Sequence, residues 1–550
     1  MSASFSLTIF ARTAQGDANT LRELEAMYRE AGFCDGLRAS GFHRTPYGRR
    51  RARSVRIARV PADLTWNGGS LVSRAPMMPE MPQWNSARSW ALLLGLCSSL
   101  SAPTLSSASP VGQDRDGPAP DIQTVPSPPN AGQAPAAGEK DRASDERHGV
   151  HFQTTIATQS HPAFAAAYSG RNSMLPAAES ATSVVADLFT GLRGWRGSEL
   201  YFQPEIAGGR GLSSTLGMAA FPSGEVYRVG DPTPTVIVGR VFLRQVIGLG
   251  GGTTRTEAGP NQLAGTRDRD ALTLTVGKVA TTDIVDANPL SNDPHSGFTS
   301  WGLWASAAYD YPADTRGYTW GAAADLSINW WSVRGGIFLE PKMANGLEME
   351  SVSKARGLVL EGEARFSLDG RAGAVRALTF LNEAHMGNYG QAIAEGVDVS
   401  ATRAYGRKKY GFAASTNLQI DDTLGAFVRA SWNDGASETW AFTEIDRSFA
   451  AGVVQSGARW RRSQDAAGAA LVVSGLSDPH RAYLAAGGYG FLIGDSRLRY
   501  RSEILAELFY RLALTREVSL IGAYQPVANP AFNADRGPVH IFTARVHVGF

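Results

Sequence analysis

The chain has 550 residues, a formal charge of +2 and 43% hydrophobic side chains, with a mean hydropathy of −0.17. No stretch approaches the ~18–20 consecutive apolar residues of a membrane-spanning helix, which excludes a helical membrane protein; a barrel stays open, because its strands of ~9–11 residues show lipid only every second side chain. The near-neutral charge implies no general nucleic-acid affinity, and two cysteines, Cys34 and Cys97, make neither a disulfide framework nor a Cys-based metal site.

In chain order, residues 1–80 read as an extension unlike the rest. Within them residues 18–32 read as a short charged helix, followed by a basic run, Arg49, Arg50, Arg51, Arg53, Arg56 and Arg59. That run fits a nucleic-acid or anionic-lipid patch less well than a solvated extension, or sequence translated from upstream of the true start. Residues 81–108 have the order of a secretory signal: Arg88, an apolar run from Trp90 to Leu100, then small residues to Ala108. Met77, Met78 or Met81 are better starts, and cleavage is expected after Ala102 or Ala108. Cys97 is a poor lipidation site, since bulky Leu96 precedes it. Residues 109–147 are rich in Pro, Ala, Ser, Gly and acidic side chains, cannot bury enough surface to order themselves, and read as a periplasmic linker.

From 148 to 550 the texture is short alternating runs broken by Gly, Asn, Asp and Pro, with 60 Gly and 23 Phe in the chain to suit a glycine-turned, aromatic-girdled sheet. YTWGAAADLSIN sets Tyr318, Trp320, Leu326 and Ile328 against Thr319, Asp325, Ser327 and Asn329. GLVLEGEARFSL opposes Leu358, Leu360, Ala364, Phe366 and Leu368 to Glu361, Glu363, Arg365 and Ser367. EILAELFYRLAL opposes Ile504, Leu508, Tyr510, Leu512 and Leu514 to Glu503, Glu507 and Arg511; its charges also suit a helix, but the neighbouring strands favour a strand. PVHIFTARVHVGF is the clearest, with Phe542, Ala544, Val546, Val548 and Phe550 opposite Thr543, Arg545, His547 and Gly549. Repetition of one greasy and one wet face behind a secretory signal points to an all-β, transmembrane antiparallel barrel of the outer membrane, with a soluble β-sandwich as the alternative.

The wet face then lines a lumen, and its charges have both signs: Asp325, Glu361, Glu363, Arg365, Glu503, Glu507, Arg511 and Arg545. An ion-selective pore favours rings of one sign, whereas mixed walls near amides and aromatics suit neutral hydroxylated solutes or simply solvate a wide channel.

The region from His148 to Phe550 resembles the OprB-type carbohydrate-selective porins. The likeness lies in HPAF at His161 followed by YSGRNSM, ELYFQPEIAGGRGLSSTLG from Glu199, GPNQLAGTR from Gly259, LTLTVGKVATTDIVDANPLSNDP from Leu272, DYPADTRGYTWGAA from Asp310, WNDGASETWAFTEIDRS from Trp432, YLAAGGYGFLIGD from Tyr483 and VANPAFNADRGPV from Val527. The resemblance implies a single-chain barrel of sixteen antiparallel strands, narrowed inside by loops, that admits small sugars such as glucose by facilitated diffusion. It implies an eyelet of Arg, acidic and aromatic residues, carried here to Glu205 and Arg210 in PEIAGGRG and Asp283 in GKVATTDIVD. Arg240 and Arg244 share one face by parity as lumen basics. Trp301, Trp304 and Tyr309 are candidates for sugar stacking or for the aromatic girdle. Expected partners are small carbohydrates, outer-membrane lipid and lipopolysaccharide, and the barrel assembly machinery through Phe550, with a monomer or a homotrimer open.

The rival functions are anion uptake, polysaccharide export and, less favoured, an outer-membrane hydrolase. No G-x-S-x-G elbow or spaced metal-ligand motif accompanies His385 or His547, no cofactor is expected, and GLGGGTTR near Gly250 lacks the GK[ST] of a phosphate loop and reads as a turn.

Overall fold

The computed structural model describes residues 145–226 and 233–550. The helix expected over 18–32, the basic run, the signal and nearly all of the linker lie outside the described residues.

Alternation forms strands wherever one face can meet lipid and the other the interior. The strands are β1 (His148–His161), β2 (Glu179–Arg193), β3 (Ser198–Gly209), β4 (Thr235–Thr256), β5 (Gly265–Val279), β6 (Thr319–Ile328), β7 (Trp331–Leu339), β8 (Arg356–Leu368), β9 (Arg371–Met386), β10 (Ala404–Gln419), β11 (Leu424–Asn433), β12 (Arg447–Ser456), β13 (Ala466–Gly475), β14 (Glu503–Ala513), β15 (Val518–Ala528) and β16 (Val539–Gly549). Each pairs antiparallel with its chain neighbours, and β1 closes on β16, giving a closed sixteen-stranded barrel. Closure leaves no unpaired sheet edge, as a strand-built membrane protein requires.

Outward faces match the expected parity. Leu508, Tyr510, Phe542 and Val546 are exposed, while Glu503, Glu507, Thr543 and Arg545 on the opposite parity are buried inside. EILAELFYRLAL is a strand. Phe550 exchanges backbone hydrogen bonds with Phe152 at 2.8 and 2.9 Å, and their rings meet on the outside at 5.4 Å.

One barrel end has short turns. At Asp369–Gly370, φ of 50° and 78° give the left-handed pair that a two-residue hairpin needs. The other end carries the long connections 210–234, 280–318 and 476–502. Both barrel termini lie at the short-turn end, which by the usual asymmetry faces the periplasm.

Two local expectations are corrected. Tyr318 was expected to share the outward face of Trp320, but β6 begins at Thr319, and Tyr318 turns inward, its hydroxyl donating to Glu205. GLGGGTTR is not a turn: it lies within β4, where the register with β5 shifts between Gly248 and Thr253.

Candidate functional site

The connection between β5 and β6, residues 280–318, turns into the barrel. Asp286 anchors its first part: Arg429 of β11 pairs with its carboxylate at 2.5 Å, its N–H donates to Glu361 at 2.7 Å, and Ser306 donates to the same carboxylate twice. The chain then descends toward the periplasmic half, where Arg545 donates to the carbonyls of Pro294 and Gly297 at 2.7 Å each. Arg511 donates to Ser296 Oγ at 3.0 Å. On the return, the N–H groups of Thr299 and Ser300 donate to Glu507 at 2.9 and 3.0 Å.

The β3–β4 connection folds in beside it. Ala219 and Ala220 donate to Glu503 at 3.0 and 2.6 Å, and Gly224 N–H reaches the Thr299 carbonyl at 2.7 Å. His295 Nδ1 lies 2.8 Å from Glu225, with Gln153, Thr155 and His547 around the ring. Burial alone would lower the imidazole pKa, but the carboxylates of Glu225, Asp293 and Asp187 outweigh it and bring it up to about 9.

These loops seal the lumen along β10–β16. The wall of β2–β9 carries charges in three tiers, in which Arg240, Asp325, Arg244, Arg193 and the adjoining Asp283 keep part of their surface exposed while Asp187, Glu361 and Arg376 are buried. Nearest the extracellular end, Arg240 holds Asp283 through two donors at 2.6 and 2.7 Å and Gln203 at 2.5 Å. Gln203 donates to Asp187 at 2.7 Å, and Lys278 lies 3.7 Å from Asp314. Lower down, Arg334 faces Asp325, Glu361 and Glu363 at 3.3, 3.2 and 3.5 Å. Glu363 also receives Arg365 at 2.6 Å and Arg376 at 2.7 Å. At the periplasmic end, Glu199 takes Arg193 at 3.0 Å and Arg244 at 3.7 Å. Each tier mixes signs, so none makes a single-sign ring of an ion filter.

In one cluster with Phe242, Phe338 and Phe380 of this wall, Phe442 of the β11–β12 connection gathers Trp301 at 5.7 Å, Trp304 at 5.8 Å and Tyr311 at 4.5 Å between ring centroids. Trp301 and Trp304 are half-buried, and Trp301 Nε1 donates to the Ser223 carbonyl at 2.7 Å.

The structure thus sorts the expected residues. Arg240 and Asp283 meet, Glu205 is one tier neighbour through Tyr318, and Asp325, Glu361, Glu363 and Arg365 share the middle network. Arg244 lies apart from Arg240, in the lower tier. Arg210 is exposed beyond β3, its N–H on the Thr182 carbonyl. Glu503, Glu507, Arg511 and Arg545 face inward but are sealed beneath the loops; Glu503, Glu507 and Arg545 hold loop backbone and Arg511 holds the Ser296 hydroxyl, so they anchor loops instead of lining open space. Tyr309 is fully buried against Phe380 at 4.9 Å, which removes it from sugar stacking, and burial raises its phenol pKa so that it stays neutral. His385 faces outward and stacks on Tyr405 at 4.3 Å.

Sequence reading missed Arg334, Arg376, Gln203, Asp187 and Lys278 on the strands. Parity carries a signal for these, since Arg334 alternates with outward Val333 in WSVRGGIFL. It missed the loop residues Asp286, Glu225 and His295 because irregular backbone has no period.

The family model of the OprB carbohydrate-selective porins matches residues 171–550. No curated protein matches the chain in sequence. Among solved structures, Pseudomonas putida OprB at high pH is 14% identical, covering 73% of this chain and 94% of its own with a TM-score of 0.55. The outer-membrane channel DcaP of Acinetobacter baumannii, at 9% identity, covers 76% of this chain and all of its own with a TM-score of 0.41. With the family model covering most of the chain and the barrel closed at sixteen strands, this chain belongs to the OprB family of carbohydrate-selective porins, sugar channels of the Gram-negative outer membrane.

Proposed function

We propose that the passage admits neutral sugars of monosaccharide size, such as glucose, along the β2–β9 wall, and selects them at Arg240 and Asp283. The observation that carries this reading is the bidentate Arg240–Asp283 pair, tied to Gln203 and left partly exposed. A guanidinium, a carboxylate and an amide together offer donors and acceptors to sugar hydroxyls, while the half-buried Trp301 and Trp304 supply aromatic faces for the apolar side of a pyranose ring. The channel does no chemistry: solute moves down its gradient.

Liposome swelling over a panel of mono- and disaccharides tests the size limit, and planar-bilayer conductance tests the solute class. Glucose is expected to reduce ion conductance as it occupies the passage. If conductance ignores high glucose while phosphate or an acidic polysaccharide blocks it, the reading gives way to anion uptake or polysaccharide export.

Phe550, outward and at the closing seam, serves in this reading as the mark by which the assembly machinery takes up the barrel. Its deletion should lower the inserted amount without altering the sugar preference of what inserts; normal insertion would refute that role.

A further inference from the structure

The β4–β5 hairpin is longer than the barrel needs. Pairing of β3 with β4 ends at Ser198↔Gln245, and pairing of β5 with β6 ends at Ala271↔Ser327. Yet β4 and β5 remain paired with each other to Thr256↔Gly265. The excess hairpin therefore extends past the periplasmic rim with only itself for a partner strand.

It does not project freely. Gly250, Gly251 and Gly252 take φ of 93°, 72° and 89° in succession, a left-handed run that strongly favours glycine. The register shifts on both sides of Gly250. This break bends the hairpin back under the barrel mouth, and its tip enters the lumen. There Leu263 sits over two inward glycines, and a Cβ on Gly149 or Gly191 would lie 2.9 or 3.1 Å from its Cδ2. The Tyr201 hydroxyl accepts from Leu263 N–H at 3.1 Å, and Arg244 donates to the Asn261 carbonyl at 3.1 Å. Ala264 N–H donates to Glu146 at 2.8 Å.

What the tip covers has the chemistry of a sugar site. Tyr201 and Phe242 stack at 5.0 Å, with the Arg244 guanidinium 5.0 Å from the Tyr201 ring centre. Glu199 accepts from the Tyr201 hydroxyl at 2.7 Å and from Arg193 at 3.0 Å. Leu263 fills a crevice there lined by Gly149, His151, Phe189, Tyr201 and Asn261, with no room left beside it for a water. Arg244 is four residues along β4 from Arg240, so this cluster lies roughly 13 Å further along the tilted strand toward the periplasm.

We propose that Arg193, Glu199, Tyr201 and Arg244 form a second, exit-side site for neutral sugars, and that Leu263 occupies it from a hairpin hinged at Gly250–Gly252 until a sugar displaces it. The leucine covers the aromatic pair where the apolar face of a pyranose would lie. The guanidiniums and carboxylate beside it are placed for the hydroxyls. The inference rests on the passage of sugars through this lumen, and not on the assignment of Arg240 and Asp283.

A reversible lock tests it. Gly149→Cys with Leu263→Cys, in the full chain with Cys34→Ser and Cys97→Ser, ties the tip to its seat when oxidised. Glucose flux into liposomes should then fall by about fivefold or more, with small-ion conductance changed by less than about twofold, and reductant should restore the flux. Unchanged glucose flux in the locked protein overturns the proposal. So does a parallel loss of sugar and ion passage, which would mean that the hairpin only narrows the mouth. Leu263→Ala, which needs no crosslink, should make glucose added from the periplasmic side block ion current at lower concentration. Adding Arg244→Gln should cancel that gain; a block that ignores both changes also overturns the site.

Discussion

The wall of β10–β16 and the wall of β2–β9 carry the same alternation and the same residue types, but they use their inward charges differently. Arg429, Glu503, Glu507 and Arg545 are almost wholly buried and are spent on loop backbone or on one buried partner. On the other wall Arg240 and Arg244 keep part of their surface open and pair with the side chains of Asp283, in the adjoining loop, and Glu199; buried Glu361, which holds the Asp286 N–H, is the exception. Parity decides only that a side chain points inward; the loops decide whether it meets backbone or solute. The first wall should therefore be sensitive in stability, and the second in transport.

The largest stability effect is expected at Arg429. Arg429→Met leaves Asp286 buried without its cation, and breaking a buried pair costs about 3–5 kcal/mol. The variant should lose its folded, heat-resistant gel mobility at a markedly lower temperature. Wild-type melting would show that the loop does not depend on that pair.

Next comes the pH dependence at His295, at the junction of the two inward loops. Its folded pKa of about 9 lies above the unfolded 6.5, so its contribution is fully present below about pH 6.5 and is lost as pH rises through about 9. The difference amounts to about 3 kcal/mol at most. Melting temperature should fall across that window as the contact with Glu225 and Asp293 weakens. His295→Gln should flatten the profile there; an unchanged slope would place the dependence elsewhere.

Glu507→Gln keeps one oxygen for Thr299 or Ser300 and loses the charge, at an expected cost of about 1–2 kcal/mol. Loosening the segment before Trp301 should appear as added noise in single-channel current. A quiet channel with wild-type melting would show that the anchor is redundant.

Much of this architecture was legible in the chain. The strands ending in Leu368, Ala513 and Gly549 followed from period two, because one face meets lipid and the other does not. The split between the walls was not legible. Glu503 and Glu363 look alike in sequence; what separates them is that Ala219 and Ala220 bring N–H groups to one and Arg365 and Arg376 bring guanidiniums to the other. Those partners come from distant segments, and no local pattern announces them. The glycines of GLGGGTTR signalled left-handed backbone, but a turn and a bend within a strand use the same residues.

The smallest stability effect, and the sharpest test of the contrast, belongs to Arg240 and Asp283. Asp283 keeps 38% of its side-chain surface exposed and Arg240 16%, so much of the attraction is screened and the pair is worth about 1 kcal/mol or less. Asp283→Asn should melt within a degree or two of wild type, on the order expected for so small a change in a large barrel. It nevertheless removes the carboxylate that holds the guanidinium in its plane. Arg240 would then swing toward the passage as an unpaired cation, so anion preference should rise in reversal-potential measurements while glucose block weakens. Arg240→Gln should shift ion preference the other way, since Asp283, Asp187 and Glu205 would then face Lys278 as the tier's remaining cation. If both variants left ion preference and glucose block untouched, the open wall would be scenery like the sealed one, and the constriction would have to be sought at Trp301 and Trp304 instead.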